Sequence, residues 1–181
     1  MTRTIYYTAS SLDGFLATSD HSLDWLLSQP VSEQLQGEME GLTTRFGAQL
    51  MGASTYQWLL DNEDLLTNPE KWPYPTPSWV MTHRDLPAVP GADIRFAQGD
   101  VAAVHAEMVA AAGDKDVWVV GGGDLAGQLA DAGLLDEIEV SYAPVTLGSG
   151  MPLLPRRIDL ELREVRHDAP FVLARLEVKK P

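Results

Sequence analysis

The chain has 181 residues, 45% of them hydrophobic, carries 13 Lys and Arg against 26 Asp and Glu for a net charge of −13, and contains no cysteine. That length suits one domain with a real core and leaves little room for a second. The missing thiols exclude a disulfide framework, a thiolate zinc site and a cysteine nucleophile, and the acidic surface repels phosphate backbones, so no nucleic-acid partner is expected.

Apolar residues lie in short patterned runs, with no block long enough to span a bilayer. The opening Met1-Thr2-Arg3-Thr4 followed by Ile5-Tyr6-Tyr7 lacks the features of a secretory signal. The expectation is a cytoplasmic protein with a small-molecule partner.

Arg3 to Ala9 is rich in β-branched and aromatic residues and ends near the turn-forming Ser10-Ser11-Leu12-Asp13-Gly14, which predicts a first strand and a long loop. From Ser32, the spacing of Leu35, Met39, Leu42 and Phe46 predicts one face of a helix that Gly47 ends. Ala48 to Met51 reads as a short buried strand closed by Gly52. Between Tyr56 and Pro77 an acidic, proline-bearing stretch predicts a surface excursion with at most a short helix after Thr55. Ser78 to Met81 and Asp93 to Phe96 are strands, and Asp100 caps a crossover helix with Val101, Val104, Met108 and Ala111 in its stripe. Asp116 to Val120 has the nearly continuous apolar pattern of a central strand. After three glycines, Asp124 caps a helix ending near Gly133. Glu137 to Tyr142, Leu160 to His167 and Phe171 to Val178 then alternate with only turns between them. Strands separated by helices, then strands alone, describe a mixed sheet, parallel for most of its width with an antiparallel edge.

The stretch with most chemical content is Val117-Trp118-Val119-Val120-Gly121-Gly122-Gly123-Asp124-Leu125, a buried strand passing through glycines into a helix start. Without Cβ atoms the backbone can approach a pyrophosphate, and the free N–H groups of the helix favour its charge. A tight turn with no ligand is the simpler alternative. The same residues fit the G-x-G-x-x-A dinucleotide fingerprint, but that pattern opens a βαβ unit and needs an acidic residue after the next strand, where this chain has Tyr142-Ala143-Pro144. His21, His83, His105 and His167 show no metal-binding spacing, so no metal is expected.

Three segments in order, Thr8-Ala9-Ser10-Ser11-Leu12-Asp13-Gly14, Leu50-Met51-Gly52-Ala53-Ser54-Thr55-Tyr56 and Val119-Val120-Gly121-Gly122-Gly123, resemble the dihydrofolate-reductase superfamily. A fourth, Leu135 to Val140 with Ala143-Pro144-Val145-Thr146-Leu147-Gly148-Ser149-Gly150-Met151-Pro152-Leu153, is similar to the signature of the riboflavin-biosynthesis reductase domain. The resemblance implies an α/β, three-layer fold with helices on both faces of the mixed sheet, an NADPH-dependent oxidoreductase with NADH possible, and a homodimer. It places the Ala9 backbone, the loop of Asp13, Gly14, Phe15 and Leu16, and Trp25 around the nicotinamide. Gly52, Ala53, Ser54 and Thr55 would hold the adenosine-side phosphates, and Gly121, Gly122, Gly123, Asp124, Leu125 and Ala126 the pyrophosphate, with the Gly121–Gly122 peptide cis.

Ala53 stands where such proteins commonly carry the arginine that pairs with the 2′-phosphate. Thr82, His83 and Arg84 follow the next strand, a position the family uses for the same phosphate; the alternative is a solvated turn. Asp13 is the candidate acid or proton relay, or else an ordinary turn aspartate. Trp25 and Tyr56 are candidates for stacking on a flat substrate, or core aromatics. Glu33 fits the early-helix acid of folate reductases, yet Tyr56 through Thr82 holds no arginine and only Lys71 to meet a glutamate tail. With no zinc-deaminase motif present, the expectation is a stand-alone reductase acting on a small heterocyclic or ribityl-like carbonyl or imine; a non-catalytic dinucleotide binder is the competing class.

Overall fold

β-Branched and aromatic runs alternating with helical stripes wind into one eight-stranded sheet in the computed structural model, which describes residues 2–180. The strands are β1 (Thr4–Ser11), β3 (Phe46–Gly52), β4 (Ser78–Met81), β5 (Ile94–Ala97), β6 (Asp116–Gly121), β7 (Glu137–Ala143), β9 (Leu160–Asp168) and β10 (Phe171–Val178). Their order is β5-β4-β3-β6-β1-β7-β10-β9. The first six are parallel, while β10 pairs antiparallel with both β7 and β9. A small ribbon of β2 (Phe15–Ala17) and β8 (Met151–Pro152) stands apart from the main sheet. Among the described residues, no helix is long and apolar enough to cross a membrane.

Because strand side chains alternate, each parallel strand feeds two cores. Tyr6, Leu50, Val117, Val119 and Ile138 pack beneath α4 (Val101–Ala112) and α5 (Gly123–Asp131). Ile5, Phe46 and Trp118 turn to the opposite face under α2 (Glu33–Arg45), and Met51 and Val80 meet α3 (Ala53–Asn62) there. The short α1 (Asp24–Leu27) completes that layer. The mixed, mostly parallel sheet matches the element pattern, and the helices on both its faces match the fold that the resemblance implies.

Several boundaries move. α2 ends at Arg45 and β3 starts at Phe46 without a connector, so Phe46 belongs to the sheet and Met39 is exposed. Gly47 sits inside β3 because a Cβ there would lie 2.6 Å from the Ala112 carbonyl oxygen at the end of α4. The stretch after Thr55 is no loose excursion: α3 runs ten residues, Leu65 is fully buried, and Trp72 and Tyr74 fold back against Tyr56 and Trp118. Apolar contact outweighs the proline-rich composition here. Asp124 is not a cap; Gly122 holds that position, and Asp124 is the second residue of α5.

Candidate functional site

Parallel strands end together, and the crevice outside their carboxyl ends is where an open α/β sheet can admit a ligand. A cavity of about 460 Å³ opens there, lined by Thr8 and Ala9 of β1, Val120 and Gly121 of β6, Gly122 to Asp124, and Ser54 and Thr55 of α3. Leu16, His21, Leu23, Leu26, Trp58 and Tyr74 form much of the remaining wall.

Four helices have nine residues or more, and their starts differ in kind. Ser32 caps α2 by accepting from the Leu35 N–H at 3.0 Å, and Asp100 caps α4 by accepting from the Ala102 N–H at 2.9 Å. α3 and α5 begin on Gly52 and Gly122, both extended, with no side-chain cap. These two uncapped ends are the ones whose first residues line the cavity, leaving backbone N–H groups available to an anion.

The glycine turn is shaped by its neighbours. The Gly121–Gly122 peptide is cis, as the resemblance implies. A Cβ on Gly121 would meet Thr55 Oγ1 at 2.9 Å, and one on Gly123 would strike the carbonyl oxygens of Pro152 and Leu153 at 2.3 and 2.4 Å. Gly122 has no atom within 4 Å of that position, so its open side is the one a ligand backbone can approach. Leu125 and Ala126 are buried with their side chains in the core, which limits their part in a ligand site to the helix backbone.

Asp124 brings a carboxylate to this end of the cleft. It accepts from Gln128 Nε2 at 2.8 Å and from Arg156 at 2.6 Å, and these two bonds, Gln128 first, hold its carboxyl below the ordinary range. Arg156 also pairs with Asp131. The charge of Asp124 is thereby matched rather than left facing the glycine turn.

Asp13 proves to be a tether. It is exposed outside the cavity wall, accepts from the Ser11 hydroxyl at 2.6 Å, from the Leu147 N–H at 3.0 Å and from the Gly148 N–H at 2.7 Å. The Ser11 hydroxyl, then the Leu147 amide, bring its carboxyl down to about 2. A group ionised throughout the neutral range cannot serve as a proton donor. Gly14, at φ +87°, turns the chain so that its carbonyl accepts from Leu153 N–H at 2.8 Å, and Phe15 pairs with Pro152. Asp13, Gly14 and Phe15 thus join the first loop to the Leu147–Leu153 segment, while Leu16 reaches the cavity.

Three substrate-side candidates sit elsewhere. Tyr56 is fully buried, donates to the Pro87 carbonyl at 2.6 Å and packs edge-on against Trp72 and Phe96. Trp25 packs with Leu35, Ala143 and Phe171. Glu33 is exposed in the first turn of α2, where a carboxylate suits the helix dipole. Gly52 and Ala53 open α3 beside the cavity wall formed by Ser54 and Thr55. Since Gly52 is in register with Met81, the following Thr82, buried, and His83 and Arg84, exposed, flank that helix start. Thr82 Oγ1 accepts from the Arg84 N–H at 2.9 Å, fixing the turn. Of the arginines among the described residues, Arg84 alone has no carboxylate partner.

His21, Leu23, Leu26, Trp58 and Tyr74 are wall residues that sequence spacing does not reveal. Trp58 alone had a signal: it stands three residues after Thr55, on the same helical face. Burial pushes the Tyr74 hydroxyl upward, which makes it a poor acid and leaves His21 the titratable side chain on this wall besides Asp124. A second cavity, about 530 Å³, lies between α2 and strands β7 and β10, with Arg45 bidentate on Glu139 at 2.6 and 2.8 Å and Arg166 paired with Glu38. It is larger, but its charges are matched and it does not include the glycine turn.

The model of the RibD C-terminal domain family matches residues 3–173. YwjB of Bacillus subtilis, an uncharacterized protein, is 27% identical over 155 residues, covering 83% of this chain and 82% of its own. Among solved structures, a putative riboflavin biosynthesis protein from Shewanella aligns with a TM-score of 0.79 at 23% identity, covering 98% of this chain and 99% of that one. The diaminohydroxyphosphoribosylaminopyrimidine deaminase/5-amino-6-(5-phosphoribosylamino)uracil reductase of Thermotoga maritima aligns with a TM-score of 0.65 at 16% identity, and this chain spans 57% of its length. At such identities the structural likeness concerns the fold.

Proposed function

The chain belongs to the RibD C-terminal domain family, and from that premise we propose that it is a cytoplasmic, NADPH-dependent reductase acting on a small heterocyclic or ribityl-like carbonyl or imine. The observation that carries this reading is the pair of uncapped helix starts, α3 at Gly52 and α5 at Gly122, facing one cleft, while α2 and α4 carry side-chain caps. Two such ends suit the two phosphate regions of a dinucleotide.

The residues present fit that group. The Ser54 and Thr55 end of α3 would receive the adenosine-side phosphates, and Arg84 beside it is free to fork onto a 2′-phosphate in place of an arginine at position 53. Gly122 and the first N–H groups of α5 would hold the pyrophosphate, with Asp124 drawn aside by Gln128 and Arg156. Thr8, Ala9 and Leu16 would border the nicotinamide, which supplies a hydride when bound. Leu23, Leu26, Trp58 and Tyr74 would form the apolar side of the site around the reacting carbon. His21 at the same wall is the group we assign to delivering the proton to the substrate heteroatom. A second copy of the chain would cover the apolar strip of Leu162, Val165 and Val172, which are 59%, 55% and 44% exposed.

Titration of NADPH, followed by nicotinamide fluorescence, tests the cofactor assignment. The wild type binds, and Gly122→Ala loses about tenfold or more in affinity because the added methyl occupies the open side of the turn. A wild type that binds neither NADPH nor NADH sinks the reading. Binding without oxidation across pterins, flavin precursors and quinones would instead identify a dinucleotide-binding protein.

A further inference from the structure

The cleft is notable for where the chain's positive charge is not. All nine arginines and four lysines lie among the described residues, and none lines the cavity. Eight of the arginines are engaged by carboxylates: Arg156, nearest the glycine turn, is shared between Asp124 and Asp131, and Arg45, Arg166 and Arg175 are spent on Glu139, Glu38 and Glu164 across the other cavity. Arg84 is the exception, and it stands outside the wall, past the start of α3. The walls left for a substrate are Leu23 and Leu26, Trp58 of α3 and Tyr74 of the loop that follows it, with His21 as the single imidazole and the charge of Asp124 already matched by Arg156.

On the reading given above, we infer that the substrate is an uncharged planar ring electrophile without a phosphate group. A phosphate ester drawn against these walls, apart from the two helix starts assigned to the dinucleotide phosphates, would lose hydration with no guanidinium, ammonium or open helix start to replace it. Trp58 and Tyr74 bring aromatic surface to the cavity, and Leu23 and Leu26 line it beside them, a lining suited to an apolar ring. In the reaction, a ring carbon accepts a hydride from NADPH and forms a C–H bond. The π pair of its C=O or C=N bond moves to the heteroatom, which takes a proton from His21. The ring gains two electrons and two hydrogens in all, and NADPH is oxidised to NADP+. The phosphorylated uracil named for the Thermotoga enzyme does not meet this description, so on this inference the present chain has a different substrate class from that protein.

Matched pairs of one ring with and without a phosphate ester test this: ribosylaminouracil and its 5′-phosphate, riboflavin and flavin mononucleotide, pyridoxal and pyridoxal phosphate. Their affinities are measured by calorimetry on the wild type with and without NADP+. The expected result is that at least one neutral ring binds and that it binds roughly tenfold or more tightly than its phosphate ester. Equal or tighter binding of the ester, or no binding by any neutral ring, overturns the inference. Leu23→Arg, which places a guanidinium on the wall, should raise affinity for the ester relative to its neutral ring by at least about tenfold, measured at saturating NADP+; an unmoved preference also overturns it. NADPH titration alone reads the cofactor assignment, so failure there and failure of the ring pairs remain distinct.

Discussion

Asp13 shows how one side chain's role depends on which amides are near it. In sequence, Leu12-Asp13-Gly14 fits a catalytic loop or a simple turn, and the structure adds Leu147 and Gly148, 134 and 135 residues away, as its partners. The carboxyl is brought down to about 2, below its unfolded value, so its contribution to the loop is complete above the ordinary aspartate range and is lost as pH falls toward 2. NMR titration of the Leu147 and Gly148 amides should show no transition between pH 5 and 9. Asp13→Ala should leave turnover measurable and raise KM through a looser loop; loss of kcat with KM unchanged would restore the proton-donor role. Arg84, the arginine without a carboxylate partner, makes a separate prediction. Arg84→Gln should weaken NADPH about tenfold or more and leave NADH unchanged, as a charge-assisted phosphate contact requires.

Helix starts carry the functional information at the next scale. α2 and α4 satisfy their first N–H groups with Ser32 and Asp100, whereas α3 and α5 leave theirs to whatever occupies the cleft. Ser32→Ala should cost about 1 kcal/mol of stability, readable by urea unfolding, without changing cofactor affinity. The glycine turn separates by position in the same way. Gly123→Ala drives a methyl into the Pro152 and Leu153 carbonyls and should cost about 1–3 kcal/mol, while Gly122→Ala should leave the unfolding midpoint in place and show itself only in ligand binding. A Gly123→Ala protein as stable as wild type would mean that β8 does not press on α5 as described.

For the molecule as a whole, the eight-stranded sheet ends on β9, an edge strand whose outer side has no partner among the described residues. Leu162 and Val165 on β9 and Val172 on β10 share the sheet face of α4 and α5, beyond the reach of either helix. Exposed apolar residues at an unpaired edge favour association. Light scattering should therefore give about twice the 19.8 kDa chain mass, and Leu162→Lys with Val165→Lys should give a monomer. A wild type that stays monomeric at micromolar concentration would refute the pairing.

Local spacing makes much of this protein legible. Ser78 to Met81 and Phe171 to Val178 are strands with the boundaries their residues suggest, and Asp100 caps the helix it precedes. The order of strands and helices is enough for a mixed sheet with an antiparallel edge, because helices between strands permit parallel pairing and bare turns do not. The glycine turn at the end of β6 and the glycine that opens α3 are visible for the same reason: a missing Cβ is written in the residue itself. What lies far apart along the chain is not. Gly122 rather than Asp124 begins α5, Tyr56 belongs to the core and Tyr74 to the cleft wall, and Asp13 binds a loop that returns after the seventh strand. Each of these depends on a neighbour supplied by another element, and residue spacing along one element cannot reveal which neighbour that is.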